Sequence, residues 1–115
     1  MYKFSYAEIL DESCTLNRER ERFALDHAVE LLTRANAAGP GSEEMTNALA
    51  FVQKLWGFFI SDLSDPHNEL PQQVRADLAS LGLWVIQEAD QILAARSGSL
   101  AGLISVNQAI RDGLK

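Results

Sequence analysis

The sequence predicts an all-α fold: a compact, antiparallel four-helix bundle-like domain with a short N-terminal arm. Three observations predict it. Apolar residues recur at helical three- and four-residue spacing through most of the chain, whereas strict alternation is confined to Tyr2, Phe4 and Tyr6. Helix stop and start signals punctuate the chain at Gly39-Pro40, Ser42-Glu43-Glu44, Pro71 and Ser97-Gly98-Ser99. The connections are short, which makes sequential helices antiparallel neighbours.

The arm and a first short helix occupy about residues 1–12. Ser5-Tyr6-Ala7-Glu8 has the spacing of a capping box, so residues 1–5 read as extended and roughly 6–11 as helix. Helix A, about 14–38, starts beside Ser13 as N-cap and stops at Gly39-Pro40. Ala24, Leu25, Ala28, Leu31, Leu32 and Ala35 share its inner face, and Glu30 and Arg34 pair on the outer one. Helix B, about 43–64, opens with Glu43 and Glu44 at the positive end of the helix dipole and closes at the turn Ser64-Asp65-Pro66-His67-Asn68. Helix C, about 71–96, takes Pro71 in its first turn, where the missing N–H costs nothing, and carries a stripe of Val74, Leu78, Leu81, Val85, Ala89 and Ile92. Gly82 inside this helix costs roughly 1 kcal/mol relative to Ala, which a close crossing of another helix would explain. Helix D, about 99–113, presents Leu100, Leu103, Val106, Ile110 and Leu114. Helices B and C are the most apolar and are expected at the centre.

Helix B carries more apolar surface than a core-facing helix needs. Around Val52, the residues Met45, Leu49, Trp56, Phe59 and Leu63 lie within about 60° and form the core stripe. Phe51 and Phe58 lie roughly 100–120° to one side with Leu55 between them, widening the apolar arc to about 200°. This edge is either covered by helix D or the arm, or free to accept a partner helix; position alone favours burial. The arm poses the same question, because Tyr2, Phe4 and Tyr6 carry much apolar area for water to solvate.

Composition narrows the function. The chain has 115 residues, enough for one domain over 1–115, and 47% of them are hydrophobic, which supplies a core. A net charge of -6 argues against the phosphate backbone of a nucleic acid as partner. The dense basic group Arg18, Arg20 and Arg22 alternates with Glu19 and Glu21 and reads as a solvated, self-paired face. The single Cys14 offers neither an internal disulfide nor zinc spacing, and no secretory or membrane-spanning segment is visible, so a soluble cytoplasmic protein is expected.

Reactive groups do not converge. His27 and Glu30 share a helix face, but a carboxylate-bridged di-iron bundle needs two Glu-x-x-His motifs, and His67 sits in a turn. Cys14 has no His near it in sequence to activate it. No catalytic, cofactor-binding or metal-ligating residues are expected, and no enzymatic activity. The candidate functional residues are instead the partner-binding set Phe51, Leu55, Phe58, Tyr2, Phe4 and Tyr6.

Several segments in fixed order resemble one family. The opening Met1-Tyr2-Lys3-Phe4-Ser5-Tyr6-Ala7-Glu8 is followed by Arg18-Glu19-Arg20-Glu21-Arg22 and Ala24-Leu25-Asp26, and then by Leu55-Trp56 through Asp62-Leu63. Further on come Leu70-Pro71, Arg75-Ala76-Asp77-Leu78, Leu81-Gly82-Leu83-Trp84 and the ending Ile110-Arg111-Asp112-Gly113-Leu114-Lys115. Together they resemble the FlaF regulators of flagellar biosynthesis found in alphaproteobacteria. The resemblance implies a role in flagellin production and filament assembly, in opposition to FlbT, a repressor of flagellin translation. It implies no catalytic residues and no cofactor. Two partners follow as expectations: unassembled flagellin, held as by an export chaperone, or FlbT, bound by an adaptor that never touches flagellin. Direct nucleic-acid binding and membrane insertion are not expected; a monomer or weak homodimer is.

Overall fold

The computed structural model describes the backbone of residues 6–95 and 99–113, and side chains from residue 19 onward within those spans. Four helices account for nearly all of it: α1 (Tyr6–Ala38), α2 (Glu43–Leu63), α3 (Gln72–Ala95) and α4 (Ala101–Gly113). Among the described residues there is no strand.

The first helix departs from expectation. α1 runs unbroken for 33 residues through Ser13, so the short helix over 6–11 and helix A are one element. Ser13 had suggested an N-cap, but a Ser caps only where the preceding chain leaves the helix. Ala7 to Glu12 contains neither Gly nor Pro to make it leave. At its other end α1 stops as predicted. Gly39 takes φ 98°, a left-handed conformation that costs Gly little, and its N–H donates to the Ala35 carbonyl at 3.0 Å.

The remaining boundaries follow local chemistry. Ser42 is extended (φ -74°, ψ 158°), and its hydroxyl accepts the Met45 N–H at 3.2 Å, with Glu43 and Glu44 in the first turn of α2. Beyond Leu63, the Asp65 and Asn68 carboxyl and amide oxygens accept the N–H groups of His67 (2.8 Å) and Leu70 (3.0 Å), which folds the turn. Pro71 immediately precedes α3, and its carbonyl accepts the Arg75 N–H at 3.0 Å. Ser99 accepts the Ala101 N–H at 3.1 Å at the head of α4.

Neighbouring helices are antiparallel. His27 of α1 meets Phe51 of α2, while Glu21 and Leu63, at the foot of both helices, line one groove. Gln53 of α2 donates to the Ile86 carbonyl (3.1 Å) and to Asp90 (2.7 Å) of α3, whereas Trp56 and Ile60, later in α2, pack at Gly82, earlier in α3. α4 lies along α1: the Leu100 N–H donates to Asn36 at 3.3 Å, and Arg111 pairs with Asp26 at 3.2 Å. The contacts therefore order the helices α3–α2–α1–α4. The middle pair is α1 and α2, not the expected B and C. Small residues on α1, Ala28 and Ala35, are fully buried and let α1 take a neighbour on each side.

The core draws on the predicted stripes: Leu25, Ala28, Leu32 and Ala35 of α1; Met45, Leu49, Val52 and Trp56 of α2; Val85, Ala89 and Ile92 of α3; Leu100 and Leu103 ahead of and within α4. Val74 of the helix C stripe is instead exposed, in the first turn of α3, and Leu114 of the helix D stripe lies outside the described residues. Phe59 and Leu63 of the helix B stripe, and Leu78 and Leu81 of the helix C stripe, are half-buried at the core margin. One polar group is fully buried with them. Asn107 accepts the Trp56 indole N–H at 2.9 Å and donates to the Leu103 carbonyl at 2.7 Å, so its amide is satisfied on both sides.

Gly82 marks the close crossing that its place in the sequence suggested. A methyl group there would stand 3.0 Å from both Ile60 Cγ1 and Trp56 Cε3. Overpacking costs about 1–3 kcal/mol, against a helix-propensity gain of roughly 1 kcal/mol. Trp56 is pinned by Asn107 and cannot give way easily. Gly82→Ala is therefore expected to destabilise the protein by about 1 kcal/mol in urea unfolding followed by circular dichroism.

Candidate functional site

The apolar edge of α2 is divided between core and surface. Phe51 is half-buried and meets the His27 ring edge-on, with centroids 5.0 Å apart and planes at 88°. Leu55 is half-buried against the core. Phe58 is 71% exposed. Among the described residues, His27 of α1 thus covers the upper part of the edge, and Phe58 at its lower end is open. Tyr2 and Phe4 lie outside the described residues; Tyr6 heads α1, and its side chain also lies outside them.

A second aromatic joins the open end. Phe23 is 79% exposed and stands one helical turn before His27. Because α1 and α2 run antiparallel, moving from His27 to Phe23 on α1 matches moving from Phe51 toward Leu55 and Phe58 on α2. The α1–α2 face thus carries a patch of Phe23, Leu55 and Phe58, bounded above by the His27–Phe51 contact. Phe23 escaped the sequence reading because it falls about 160° from Leu25, outside the apolar stripe of its helix. A large aromatic between Arg22 and Ala24, off that stripe, was the available signal.

Other surfaces offer less. At the foot of the bundle, Leu25, Trp56, Phe59, Leu63, Leu78 and Ile110 line a groove of about 110 Å³, with Glu21 and Asp62 also in its wall. On α3, Leu83 and Trp84 are exposed, and a methyl on Gly102 of α4 would lie 3.7 Å from the Trp84 ring. Among the described residues, no group of three or more His, Cys, Asp or Glu side chains is placed to hold a metal ion. The His27 ring meets Phe51 edge-on. His67 lies in the exposed turn after α2. No described helix is long and apolar enough to cross a membrane. What the α1–α2 face can do chemically is bury apolar side chains of another protein, in the manner of a helix laid along a groove.

The model of the family described as "Flagellar protein FlaF" matches residues 2–114 of the chain. Comparison with curated proteins gives no match, and comparison with solved structures gives none.

Proposed function

The chain belongs to the FlaF family of flagellar proteins, and on that premise we propose that it promotes flagellin production and assembly by binding unassembled flagellin in the cytoplasm, as an export chaperone. The observation that carries this reading is the exposure of two large aromatics, Phe58 at the open end of the α2 edge and Phe23 one turn from His27 on α1. Monomeric proteins rarely expose large apolar patches without a partner to cover them. Flagellin supplies a suitable cover: its terminal segments are amphipathic and unstructured before assembly. A helix formed on the α1–α2 face would bury its apolar side against Phe58 and Leu55 and be withheld from premature assembly. The net charge of -6 keeps such a complex in solution. No catalytic step, cofactor or nucleic-acid contact enters this mechanism.

The competing partner is FlbT, bound by an adaptor that leaves flagellin alone. Titrating purified protein with flagellin and with FlbT, each separately and by calorimetry, decides between them. A saturable complex with flagellin in the absence of FlbT is expected. A complex with FlbT and none with flagellin would overturn the chaperone reading.

A further inference from the structure

Of the four helices, α4 is the least secured. It has 13 residues, about 20 Å of helix, against 21 to 33 residues for the others. It lies at one edge of the row, beside α1. Only Leu103 and Asn107 are buried within it, and one of the two is polar. Ile104, Val106 and Ile110 are half-buried at the core margin. The other outer helix, α3, runs 24 residues and buries Gly82, Val85, Ala89 and Ile92.

The polar contacts that tie α4 to α1 and α2 are ones that water can replace. Asn107 Oδ1 accepts the Trp56 indole N–H at 2.9 Å, Arg111 pairs with half-exposed Asp26 at 3.2 Å, and Asn36 accepts the Leu100 N–H at 3.3 Å at the head of the helix. On separation each donor and acceptor exchanges its partner for water, so these bonds add little net cost to opening. The seam is also incompletely filled. Ile110, one turn after Asn107, lines the foot groove of about 110 Å³ together with Leu25 and Trp56. The last turn of α4 therefore covers a space and forgoes part of its packing attraction. A helix of this length is marginal in water by itself, so α4 unfolds once lifted from α1 and α2.

We infer that α4 is a detachable cover: it opens as a unit while α1, α2 and α3 stay folded, and the Trp56–Asn107 bond is its latch. The occupant of this seat in the closed form is α4 itself. Its release bares the Trp56 indole N–H and joins the seat to the foot groove through Leu25 and Trp56, giving an apolar channel along α1 and α2 that the closed form hides. Elements with few buried apolar contacts open first, at free energies below that of global unfolding. This inference is independent of which partner the protein binds.

Native-state hydrogen exchange of the full chain, followed by NMR at increasing urea, tests it. The deciding group is the Trp56 indole N–H, which belongs to α2 but is bonded to α4. Trp84→Phe tells its signal from that of exposed Trp84. Corrected for intrinsic rates, the α4 amides at 104–110 and the Trp56 indole are expected to exchange together, about tenfold or more faster than the α2 amides at 49–56, and with a shallower urea dependence. Exchange of all three groups together, with one urea slope, would overturn the inference. So would a fast α4 with a Trp56 indole that exchanges at the α2 rate, because α4 would then fray without releasing its latch.

Discussion

Trp56→Ala is expected to lower the unfolding free energy by about 3–5 kcal/mol, the range for deleting a large buried aromatic. Natural domains have only about 5–15 kcal/mol in hand, so the variant should be near the edge of folding at 37 °C. Two losses combine. The indole is 1% exposed at the point where α2 faces α3 and α4. Its removal opens a cavity beside Gly82, Ile60 and Phe59, whose ring meets it edge-on at 5.2 Å. It also removes the donor to Asn107 Oδ1, stranding a fully buried carbonyl. Trp56→Phe separates the two. It keeps most of the packing, and the stranded acceptor alone should cost about 1–3 kcal/mol. Urea titrations of both variants by circular dichroism measure the difference. An unchanged midpoint for Trp56→Phe would mean that the Trp56–Asn107 bond contributes nothing to stability.

The second large effect separates two phenylalanines that are chemically identical and seven residues apart. Phe51→Asp places a carboxylate against the His27 ring in a half-buried site and should destabilise the fold by about 1–3 kcal/mol. Phe58→Asp changes a side chain that is 71% exposed. Its effect on stability should stay within about 0.5 kcal/mol, as for surface substitutions generally. Its effect on function should be the larger one: loss of an aromatic anchor in the middle of an interface commonly costs about 2 kcal/mol or more, at least some thirtyfold in affinity. Thermal unfolding of both variants, beside flagellin titration of Phe58→Asp, checks the division.

That division explains what was legible in the sequence. The fold class and the limits of α2, α3 and α4 could be read, because Ser42, Pro71 and Ser99 act through local backbone chemistry that requires no tertiary contact. Most of the core stripes could be read from spacing alone; Val74 could not, because spacing does not tell where along α3 the neighbouring helix stops covering it. Ser13 misled because a capping residue is a preference, and nothing ahead of it in α1 breaks the helix. The order of the helices was not legible. It depends on which faces meet, and fully buried Ala28 and Ala35 gave α1 a centrality that its modest hydrophobicity hid. Asn107 falls within the helix D stripe, four residues after Leu103, but only the structure shows the partner that lets an amide sit there, the Trp56 indole reaching across from α2. The candidate site was half legible. Helical angle identified Phe51, Leu55 and Phe58 as a surplus edge but could not tell which of them α1 covers. Phe23 comes into question for that site only once α1 and α2 lie side by side in register.

Titration of purified flagellin into the wild-type protein and into Phe58→Asp, with circular dichroism of both, addresses the role of this face most directly. Saturable binding by the wild type, lost in a Phe58→Asp variant of undiminished helicity and melting temperature, is the expected result. Undiminished flagellin binding by a folded Phe58→Asp would contradict docking on the α1–α2 face.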